Sequence, residues 1–410
     1  MSKFFDTCAL LDFAEDIFQN EDKFYISNIT LKELENIKTS ATKDDEVKSK
    51  ARKVLKYLLD NKDKYEVIIY KNFYESYIKE YDYEINNDTK IIACAHDCDE
   101  QVIFVTTDIS CKHIAESTGL ITQYFQPKED DYVGYKIIEA KTDEELANIY
   151  NNVIPLGSNP YMLLENEYLL LKYNDEIVDK YRWINNTYEQ VITYKPTSQM
   201  FGIPHFKFDN LQQLALDSFK NNKITMIKGP AGSGKSCISF LYMFSLLEKG
   251  KIDKIIIFCN TVATKGSAKL GFYPGSRTEK LLDSQIGNFL ISKLGDRFIV
   301  EKLIDEGKIM LLPVSDIRGF DTSGMNAAVY ITEAQNLDTE LIKLCLQRIG
   351  EDCICILDGD VLSQVDMNMY AGIHNGMRRV SKVFRGHDFY GEVTLDKIRR
   401  SEIAELAQEI

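Results

Sequence analysis

Residues 223–250 read KITMIKGPAGSGKSCISFLYMFSLLEKG, and this stretch decides the fold of the C-terminal half of the chain. An apolar strand runs into a glycine-rich loop, and the loop opens a helix. The loop, GPAGSGKS at residues 229–236, fits the spacing G-x-x-x-x-G-K-[ST], in which backbone N–H groups face phosphate oxygens. The helix N-terminus adds partial positive charge at the same place. The stretch therefore predicts an α/β domain that binds a nucleotide.

Each position of this loop has an expected role in the predicted site. The glycines let the backbone bend around phosphates, Lys235 reaches the β- and γ-phosphates, and Ser236 is a ligand of Mg²⁺. The expected cofactors are ATP and Mg²⁺ (or Mn²⁺). The predicted nucleotide-binding residues of the loop are Gly229, Pro230, Ala231, Gly232, Ser233, Gly234, Lys235 and Ser236.

A second apolar strand, in VYITEAQN at residues 329–336, ends in Thr332 and Glu333. In ATP-hydrolysing proteins an Asp before the Glu holds the magnesium shell, and the Glu prepares the attacking water. Thr332 offers a hydroxyl but no charge, so we expect weaker metal binding, and we expect Thr332→Asp to speed hydrolysis. Glu333 is the candidate catalytic base. Asp358, in CICILDGD at 353–360, could compensate, although a turn-initiating role is favoured for it.

The composition sets the class of protein. The 410 residues are 44% hydrophobic and 27% charged, which is typical of two or three globular domains. The net charge of −14 argues against a protein that coats nucleic acid along its whole surface, because phosphate contacts need clustered Lys and Arg. A local basic groove is still compatible with that charge. Nine scattered cysteines favour a reducing compartment, and we expect a cytoplasmic protein without a membrane partner.

The chain is expected to be α/β with three parts. Residues 1–126 alternate strands with amphipathic helices, which predicts a parallel sheet covered on both faces. Residues 127–205 are aromatic and β-branched with Asn-Asp and Asn-Asn turn signals, which predicts a small antiparallel β module. Residues 206–410 return to the α/β rhythm. The strands predicted for the first part are KFFDTCALL (3–11), KFYISNI (23–29), YEVIIY (65–70) and QVIFVTTD (101–108).

Four acids in the first part lie at strand ends or near helix starts, namely Asp6, Glu33, Asp88 and Asp108. Carboxylates that converge in this way could hold one or two divalent cations, which turn water into a nucleophile and steady charge on a phosphodiester. The alternative is that these acids cap helices. Thr30 and Glu33 have the spacing of a capping box, and Asp88 and Asp108 each precede a helix.

In order and spacing, residues 1–126 resemble the PIN domain, a family of metal-dependent ribonucleases. The resemblance implies that Asp6, Glu33, Asp88 and Asp108 are catalytic and bind the metal. Cys8 stands where the family commonly has Asn or Ser, and Thr107 where it often has Asn, but neither change removes a carboxylate. The stretches that carry the resemblance are FFDTCALL (4–11), ITLKELENIK (29–38), NNDTKIIACA (86–95) and VTTDISCKHIAESTGL (105–120).

Residues 206–410 resemble the PhoH-like ATPases, which are related to superfamily 1 helicases. The resemblance implies that Gln213 contacts adenine, that Gln364 belongs to a γ-phosphate-sensing segment, and that Arg348 and Arg400 stabilise transition-state charge. The sensing segment, GDVLSQ (359–364), has one residue more than expected. The stretches that carry the resemblance are FDNLQQLALD (208–217), KLGFYPGSRTEK (269–280), DIRGF (316–320), TEAQN (332–336), LCLQRIGED (344–352) and GEVTLDKIRRSEIAELA (391–407).

Together the two resemblances imply an ATP-driven RNA-processing enzyme. A ring, expected to be a hexamer of this chain, would grip single-stranded RNA while the PIN domain cuts it. Two alternatives are also compatible with the sequence. With Thr332, the ATPase part could be an ATP-binding switch or assembly platform with weak or absent hydrolysis. The PIN domain could also be inactive, leaving a helicase or DNA-associated ATPase.

RNA contacts could come from two groups of side chains, each with a simpler interpretation. Aromatic residues of the β module could stack on bases, although such residues mostly form a core. Basic residues of the last part could line a channel, although a solvated surface is the default. The aromatic candidates are Tyr161, Tyr168, Tyr181 and Trp183, and the basic candidates are Lys265, Lys269, Arg277, Arg378, Arg379 and Arg385.

Overall fold

The chain divides into two compact units, residues 1–129 and 130–410. Each unit has its own buried apolar cores. The computed structural model describes residues 1–40, 43, 45–124, 132–202, 207–260, 282–361 and 375–399.

The N-terminal unit is a five-stranded parallel sheet with the strand order β3-β2-β1-β4-β5. Its strands are β1 (Lys3–Phe5), β2 (Phe24–Ser27), β3 (Tyr65–Ile68), β4 (Ile103–Thr106) and β5 (Ile121–Tyr124). Its helices are α1 (Thr7–Asn20), α2 (Asn28–Thr39), α3 (Asp45–Asp60), α4 (Tyr74–Glu80), α5 (Asn87–His96) and α6 (Ile109–Ser117). The predicted parallel α/β domain is confirmed.

The two faces of this sheet carry separate apolar cores, because successive residues of a strand point to opposite faces. Phe5 and Phe24 pack with α1, α2 and α3 on one face. Phe4 and Phe104 pack with α4, α5 and α6 on the other. All four rings are at most 1% exposed, so the short strands are covered on both sides.

The strand predicted at residues 3–11 is too long. The strand ends at Phe5, and α1 begins at Thr7, because the Asp6 side chain accepts a hydrogen bond from the Ala9 amide and caps the helix. The apolar residues after Thr7 belong to the buried face of α1, where Leu10 is fully buried.

The β module contains β6 (Tyr135–Ala140), α7 (Asp143–Asn148), β7 (Tyr168–Tyr173), β8 (Glu176–Ile184) and β9 (Thr187–Gln190). The sequence predicted a purely antiparallel sheet, and that prediction is wrong. The sheet is mixed, because β6 pairs parallel with β7 while the other pairs are antiparallel. A parallel pair needs a crossover, which α7 and the π-helical turn Ile149–Val153 supply. Tyr168, Tyr181 and Trp183 are buried, so the core interpretation of these aromatics is confirmed.

The rest of the second unit is a six-stranded parallel sheet with the order β12-β11-β13-β14-β10-β15. Its strands are β10 (Ile224–Lys228), β11 (Lys254–Cys259), β12 (Ile309–Pro313), β13 (Ala327–Ile331), β14 (Ile354–Gly359) and β15 (Tyr390–Thr394). Its helices are α8 (Asn210–Asn221), α9 (Lys235–Glu248), α10 (Gln285–Leu294), α11 (Arg297–Asp305), α12 (Thr339–Leu346) and α13 (Gly376–Phe384).

The β module packs directly onto this parallel sheet. The Thr394 amide at the edge strand β15 donates to the Val133 carbonyl (3.0 Å). Gly134 has φ of 86°, and a Cβ atom there would lie 1.7 Å from the Glu392 carbonyl oxygen, so only glycine fits. The Lys228 ammonium donates to the Tyr132 carbonyl (2.6 Å) and pairs with the buried Glu392 carboxylate. These contacts join the expected second and third parts into one unit.

No helix in the described part of the chain is long and apolar enough to cross a membrane.

Candidate functional site

The four acids assigned to a metal site from the sequence come together at the carboxyl edge of the N-terminal sheet. Asp6 follows β1, and Asp108 lies just beyond the neighbouring strand β4. Glu33 projects from α2, and Asp88 from the first turn of α5. Burial is the main cause that raises the pKa of both Asp6 and Asp88, and neighbouring acids add to it. These are Asp88 and Asp108 for Asp6, and Glu33 and Asp108 for Asp88. The predicted residues therefore share one electrostatic site.

Asp6 is the buried centre of this site, with only 3% of its surface exposed. One carboxylate oxygen accepts from the Ala9 amide (2.7 Å), and the other accepts from the Thr106 hydroxyl. Burial is the main reason that the pKa of Asp6 rises to about 7, and the hydrogen bonds only partly oppose it. Ionising Asp6 at neutral pH is therefore costly unless a positive charge stands beside the carboxylate.

Capping does not explain Glu33 or Asp88. The cap of α2 is Ser27, whose hydroxyl accepts from the Thr30 amide, so the capping box expected at Thr30 and Glu33 is wrong. Glu33 instead accepts from the Asn87 side-chain amide (2.7 Å) and from the Thr7 hydroxyl. The cap of α5 is Asn86 rather than Asp88.

Asp108 does cap its helix, as the alternative interpretation held. Its Oδ1 accepts from the amides of Ser110 (2.7 Å) and Cys111 (3.1 Å) at the start of α6. A carboxylate has about four lone-pair directions, so capping leaves room for another ligand.

The donor set fits a hard divalent cation, because such ions prefer carboxylate oxygens and would relieve the charge crowding around Asp6. Within the described residues, however, no three Asp, Glu, His or Cys side chains are grouped closely enough to hold a metal as they stand.

Sequence reasoning missed one further acid beside this site, Asp12 on α1. Thr107 donates to its carboxylate (3.4 Å), and Lys50 lies 3.7 Å from it. Burial and then the neighbouring acids, Asp12 among them, raise the pKa of Cys8 to about 12, so the thiol stays protonated. Asp12 lies six residues beyond Asp6, which is not a same-face spacing on a helix, so periodicity offered no signal for it.

The phosphate loop has the strand–loop–helix context that the sequence predicts. It connects β10 to α9, and Gly229, Gly232 and Gly234 all have positive φ. A Cβ atom at Gly229 would lie 2.5 Å from the Leu395 carbonyl oxygen. The Lys235 ammonium donates to the Gly229 (2.6 Å) and Pro230 (3.0 Å) carbonyls and so lies over the loop. Pro230, Ala231 and Ser233 complete the turn.

Asp358 is not in a turn, and the interpretation favoured from sequence is wrong. It is the penultimate residue of β14 and is 4% exposed. Its Oδ2 accepts from the Ser236 hydroxyl of the loop (2.8 Å) and from the Tyr330 phenol. Burial and the Asp358 charge raise the pKa of Tyr330 well above its usual value, so the phenol keeps its proton and donates it.

Thr332 and Glu333 follow β13 at the same edge of the sheet. The Glu333 amide donates to Asp358 Oδ1 (3.3 Å), and the Gln335 side chain donates to the Glu333 carboxylate. Glu333 has φ of 51°, which costs a non-glycine residue roughly 1–2 kcal/mol. Strain of this kind clusters at functional sites, which supports the prediction that Glu333 is catalytic.

The glutamine that touches the loop is Gln212, not Gln213. Gln212 lies in the capping box of α8 with Asp209, and its side-chain amide donates to the Ser233 carbonyl (3.2 Å). Gln213 accepts from Lys180 (2.7 Å) and Thr193 (3.0 Å) of the β-module segment. It also donates to the Phe208 carbonyl (2.8 Å), so its amide is already engaged away from the loop.

Arg348 lies at the opposite edge of the sheet from the loop. Its carbonyl accepts from the Thr322 hydroxyl (2.6 Å), which in turn accepts from the Gly350 amide (2.7 Å), and both partners precede the amino ends of β13 and β14. Within one chain, Arg348 therefore does not reach the phosphates, and its predicted role would need a neighbouring subunit.

Arg399 is a loop contact that sequence reasoning missed. Its amide donates to the Gly232 carbonyl (2.9 Å), and its guanidinium donates to the Asp209 carboxylate (2.8 Å) at the start of α8. The Arg-Arg pair in the sequence was the available signal. The predicted residues Arg400 and Gln364 lie outside the described residues.

Among the basic candidates for a channel, Lys265, Lys269 and Arg277 also lie outside the described residues. Arg378 and Arg379 lie on α13. Arg385 stacks over the Tyr132 ring at 5.3 Å from its centroid, which gives this side chain a packing role.

Comparisons with known proteins divide the sequence in the same way as the two sites. Residues 4–126 match the PIN domain family, and residues 207–410 match the family described as PhoH-like protein. Over 336 residues the chain is 26% identical to Protein PhoH2 of Thermobispora bispora, covering 79% of this chain and 74% of that protein. Over 357 residues it is 25% identical to Protein PhoH2 of Bacillus subtilis, covering 80% and 78%. Protein PhoH2 of Mycolicibacterium smegmatis is 30% identical over 203 residues, covering 48% and 45%.

Proposed function

Because this chain joins a PIN domain, a nuclease type, to a PhoH-like P-loop ATPase domain, we propose that it is an ATP-driven RNA-processing enzyme. The PIN domain cuts single-stranded RNA, and the PhoH-like domain uses ATP to grip and move the strand. The observation that carries the proposal is the meeting of Ser236, Glu333 and Asp358 at the phosphate loop.

In the ATPase domain, the backbone N–H groups of the loop and the Lys235 ammonium bind the β- and γ-phosphates. Ser236 would hold a divalent cation, which would supply positive charge to the phosphate oxygens when bound. Glu333 orients the attacking water and accepts its proton. Its carboxylate is suited to that task because the Gln335 amide fixes its direction. Gln212 and Arg399 hold the loop in place from its two sides.

In the PIN domain, Asp6, Glu33, Asp88 and Asp108 would hold Mg²⁺ or Mn²⁺. When bound there, such an ion would supply a nucleophilic water and stabilise charge on the scissile phosphodiester. Thr7 and Asn87 direct the Glu33 carboxylate, and Thr106 directs Asp6. These contacts orient the acids before the substrate arrives.

The proposed substrate is single-stranded RNA, and the proposed assembly is a homo-oligomer, a hexameric ring. The net charge of −14 favours contact along a local groove over contact across the whole surface. A ring also gives Arg348 a route to a neighbouring nucleotide, which it lacks within its own chain.

The test is ATP hydrolysis by the purified full-length chain with Mg²⁺, with and without single-stranded RNA or single-stranded DNA. Lys235→Ala serves as the blank, because the loop without its lysine loses the contact to the β- and γ-phosphates. We expect hydrolysis above the blank and a larger increase with RNA than with DNA. A larger increase with DNA would contradict the choice of RNA.

One observation favours a second function, an ATP-binding switch or assembly platform. Thr332 removes the acid that usually follows this strand, and hydrolysis would be slow if nothing replaced it. The switch predicts that ATP binds and changes the oligomeric state while hydrolysis stays at the level of Lys235→Ala. Size-exclusion chromatography with and without ATP measures that change.

A further inference from the structure

We propose that Asp358, on β14, supplies the carboxylate that holds the water shell of the nucleotide-bound magnesium ion. Thr332, which follows β13, has no carboxylate for this role. The inference rests on the proposed ATP site and names the residue that completes its metal shell. The carboxylate is thus on the strand next to the one where it was expected.

The sheet topology places Asp358 and Thr332 level with one another. Strand β14 lies between β13 and β10, and Ile331 pairs with Leu357 in parallel register. Thr332 directly follows Ile331, and Asp358 directly follows Leu357, so the two residues are level with one another. On its other side Asp358 pairs with Ile227, two residues before Gly229. Asp358 is thus on the strand that adjoins the phosphate-loop strand.

The contacts of Asp358 join the parts of the ATP site. Its Oδ2 accepts from the hydroxyl of Ser236, the expected magnesium ligand of the loop (2.8 Å). Its Oδ1 accepts from the backbone amide of Glu333, the candidate base (3.3 Å). A carboxylate that reaches both groups lies beside the position where the loop motif places the metal.

The charge of Asp358 is unusual for its burial. The side chain is 4% exposed, and among the described residues no lysine, arginine or histidine forms an ion pair with it. Hydrogen bonds from Ser236, Tyr330 and Glu333 occupy three of the roughly four acceptor directions of this carboxylate. A divalent cation next to Ser236 would place positive charge beside it.

A purely structural role makes a different prediction. If Asp358 only stabilised the end of β14, its loss would weaken nucleotide binding equally with and without metal. Asp358→Asn keeps an acceptor for the Ser236 hydroxyl and removes only the charge. A carboxylate in the magnesium shell affects only the metal-dependent part of binding. Residues that hydrogen-bond to the ligands of a bound metal typically contribute about 10–100-fold to its affinity.

The experiment measures the affinity of the full-length chain for a fluorescent ADP analogue, once with Mg²⁺ and once with EDTA. For Asp358→Asn we expect at least a ~10-fold loss of the magnesium-dependent gain, with affinity in EDTA within about twofold of wild type. Tyr330→Phe is the matched control, since it removes a hydrogen bond to the same oxygen but leaves the carboxylate. It should keep the magnesium-dependent gain.

The double variant Thr332→Asp/Asp358→Thr returns the carboxylate to β13 and should recover part of the gain. It also keeps the test decisive if Asp358→Asn alone folds poorly. An unchanged magnesium-dependent gain in Asp358→Asn, or an equal loss in EDTA, would overturn the inference. If wild type shows the gain but does not hydrolyse ATP, the ATPase proposal fails while the metal role of Asp358 stands.

Discussion

The Ser236 hydroxyl in the phosphate loop donates a 2.8 Å hydrogen bond to the Asp358 carboxylate at the end of β14. The two residues are separated by 122 positions in the chain. This contact gives the ATP site an acid that the end of β13 lacks, because Thr332 stands where the acid was expected. Because of this contact, we do not expect an acid at position 332 to speed ATP hydrolysis.

Thr332→Asp on its own should lower stability and should not speed ATP hydrolysis, contrary to the expectation from sequence. Thr332 is 9% exposed and level with Asp358, and neighbouring strands lie ~4.8 Å apart. Two carboxylates at that separation repel one another. Thermal unfolding and steady-state hydrolysis measure the effect, with the neutral Thr332→Asn as control. Faster hydrolysis by Thr332→Asp would mean that β13 still needed its acid.

Gln212→Ala should weaken ATP binding, whereas Gln213→Ala should leave it within about twofold. Gln212 bonds the Ser233 carbonyl of the loop, and one such bond contributes ~1 kcal/mol, or roughly fivefold in affinity. Gln213 bonds Lys180 and Thr193, so its loss should lower the unfolding temperature instead. Titration with a fluorescent ADP analogue separates the two. The reverse pattern would support the predicted contact of Gln213 with adenine.

Glu33→Gln should lower RNA cleavage by the full-length chain at least ~10-fold, because it removes one carboxylate from the proposed metal site and groups that support such sites contribute about 10–100-fold. Glu35→Gln is the matched control on the same helix, where Glu35 is exposed and pairs with Lys38 (2.9 Å). It should cleave like wild type. Cleavage of a labelled single strand in Mn²⁺ measures both. Equal activity in the two variants would remove Glu33 from the site.

The stability of the N-terminal unit should fall between pH 4 and pH 7 in EDTA because of Asp6. Its folded pKa is raised from 3.8 to about 7, so the stabilisation is complete below pH 4 and is lost as pH rises through 7. About three pKa units correspond to ~4 kcal/mol at most. Asp6→Asn should flatten this dependence.

Hydrogen exchange of the β1 and α1 amides in wild type and Asp6→Asn measures that difference. Added Mn²⁺ at pH 7.5 should restore protection in wild type and not in the variant. Protection in wild type that is independent of both pH and Mn²⁺ would argue that Asp6 stays neutral and holds no metal.

Gly134→Ala should destabilise the second unit far more than Gly386→Ala. Both glycines have similar positive φ, 86° and 83°, so the cost of backbone strain is shared. Only at Gly134 does the new Cβ meet the Glu392 carbonyl oxygen, at 1.7 Å, and overpacking typically costs ~1–3 kcal/mol. Denaturant unfolding followed by the Trp183 fluorescence measures both. Equal losses would mean that the β module moves aside freely.

Several features of the fold and sites could be predicted because they depend on short stretches. The phosphate loop is one of them, since its glycines, Lys235 and Ser236 lie within eight residues. Asp6 and Asp108 could be placed at one sheet edge because carboxyl ends of parallel strands meet there, whereas Glu33 and Asp88 were assigned to the same site through the resemblance to the PIN domain. The strand range 3–11 was too long because the Asp6 side-chain cap, and not the apolar pattern, decides where the helix begins.

The sequence by itself determined the α/β rhythm, the nucleotide loop and the four N-terminal acids. Only the tertiary structure decided that Gln212 rather than Gln213 faces the loop, that Arg348 lies at the far edge, and that Asp358 bonds Ser236. The physical reason is strand order. Placing β14 between β13 and β10 sets Asp358 beside the loop, and the order of strands within a sheet depends on long-range pairing that no local pattern encodes.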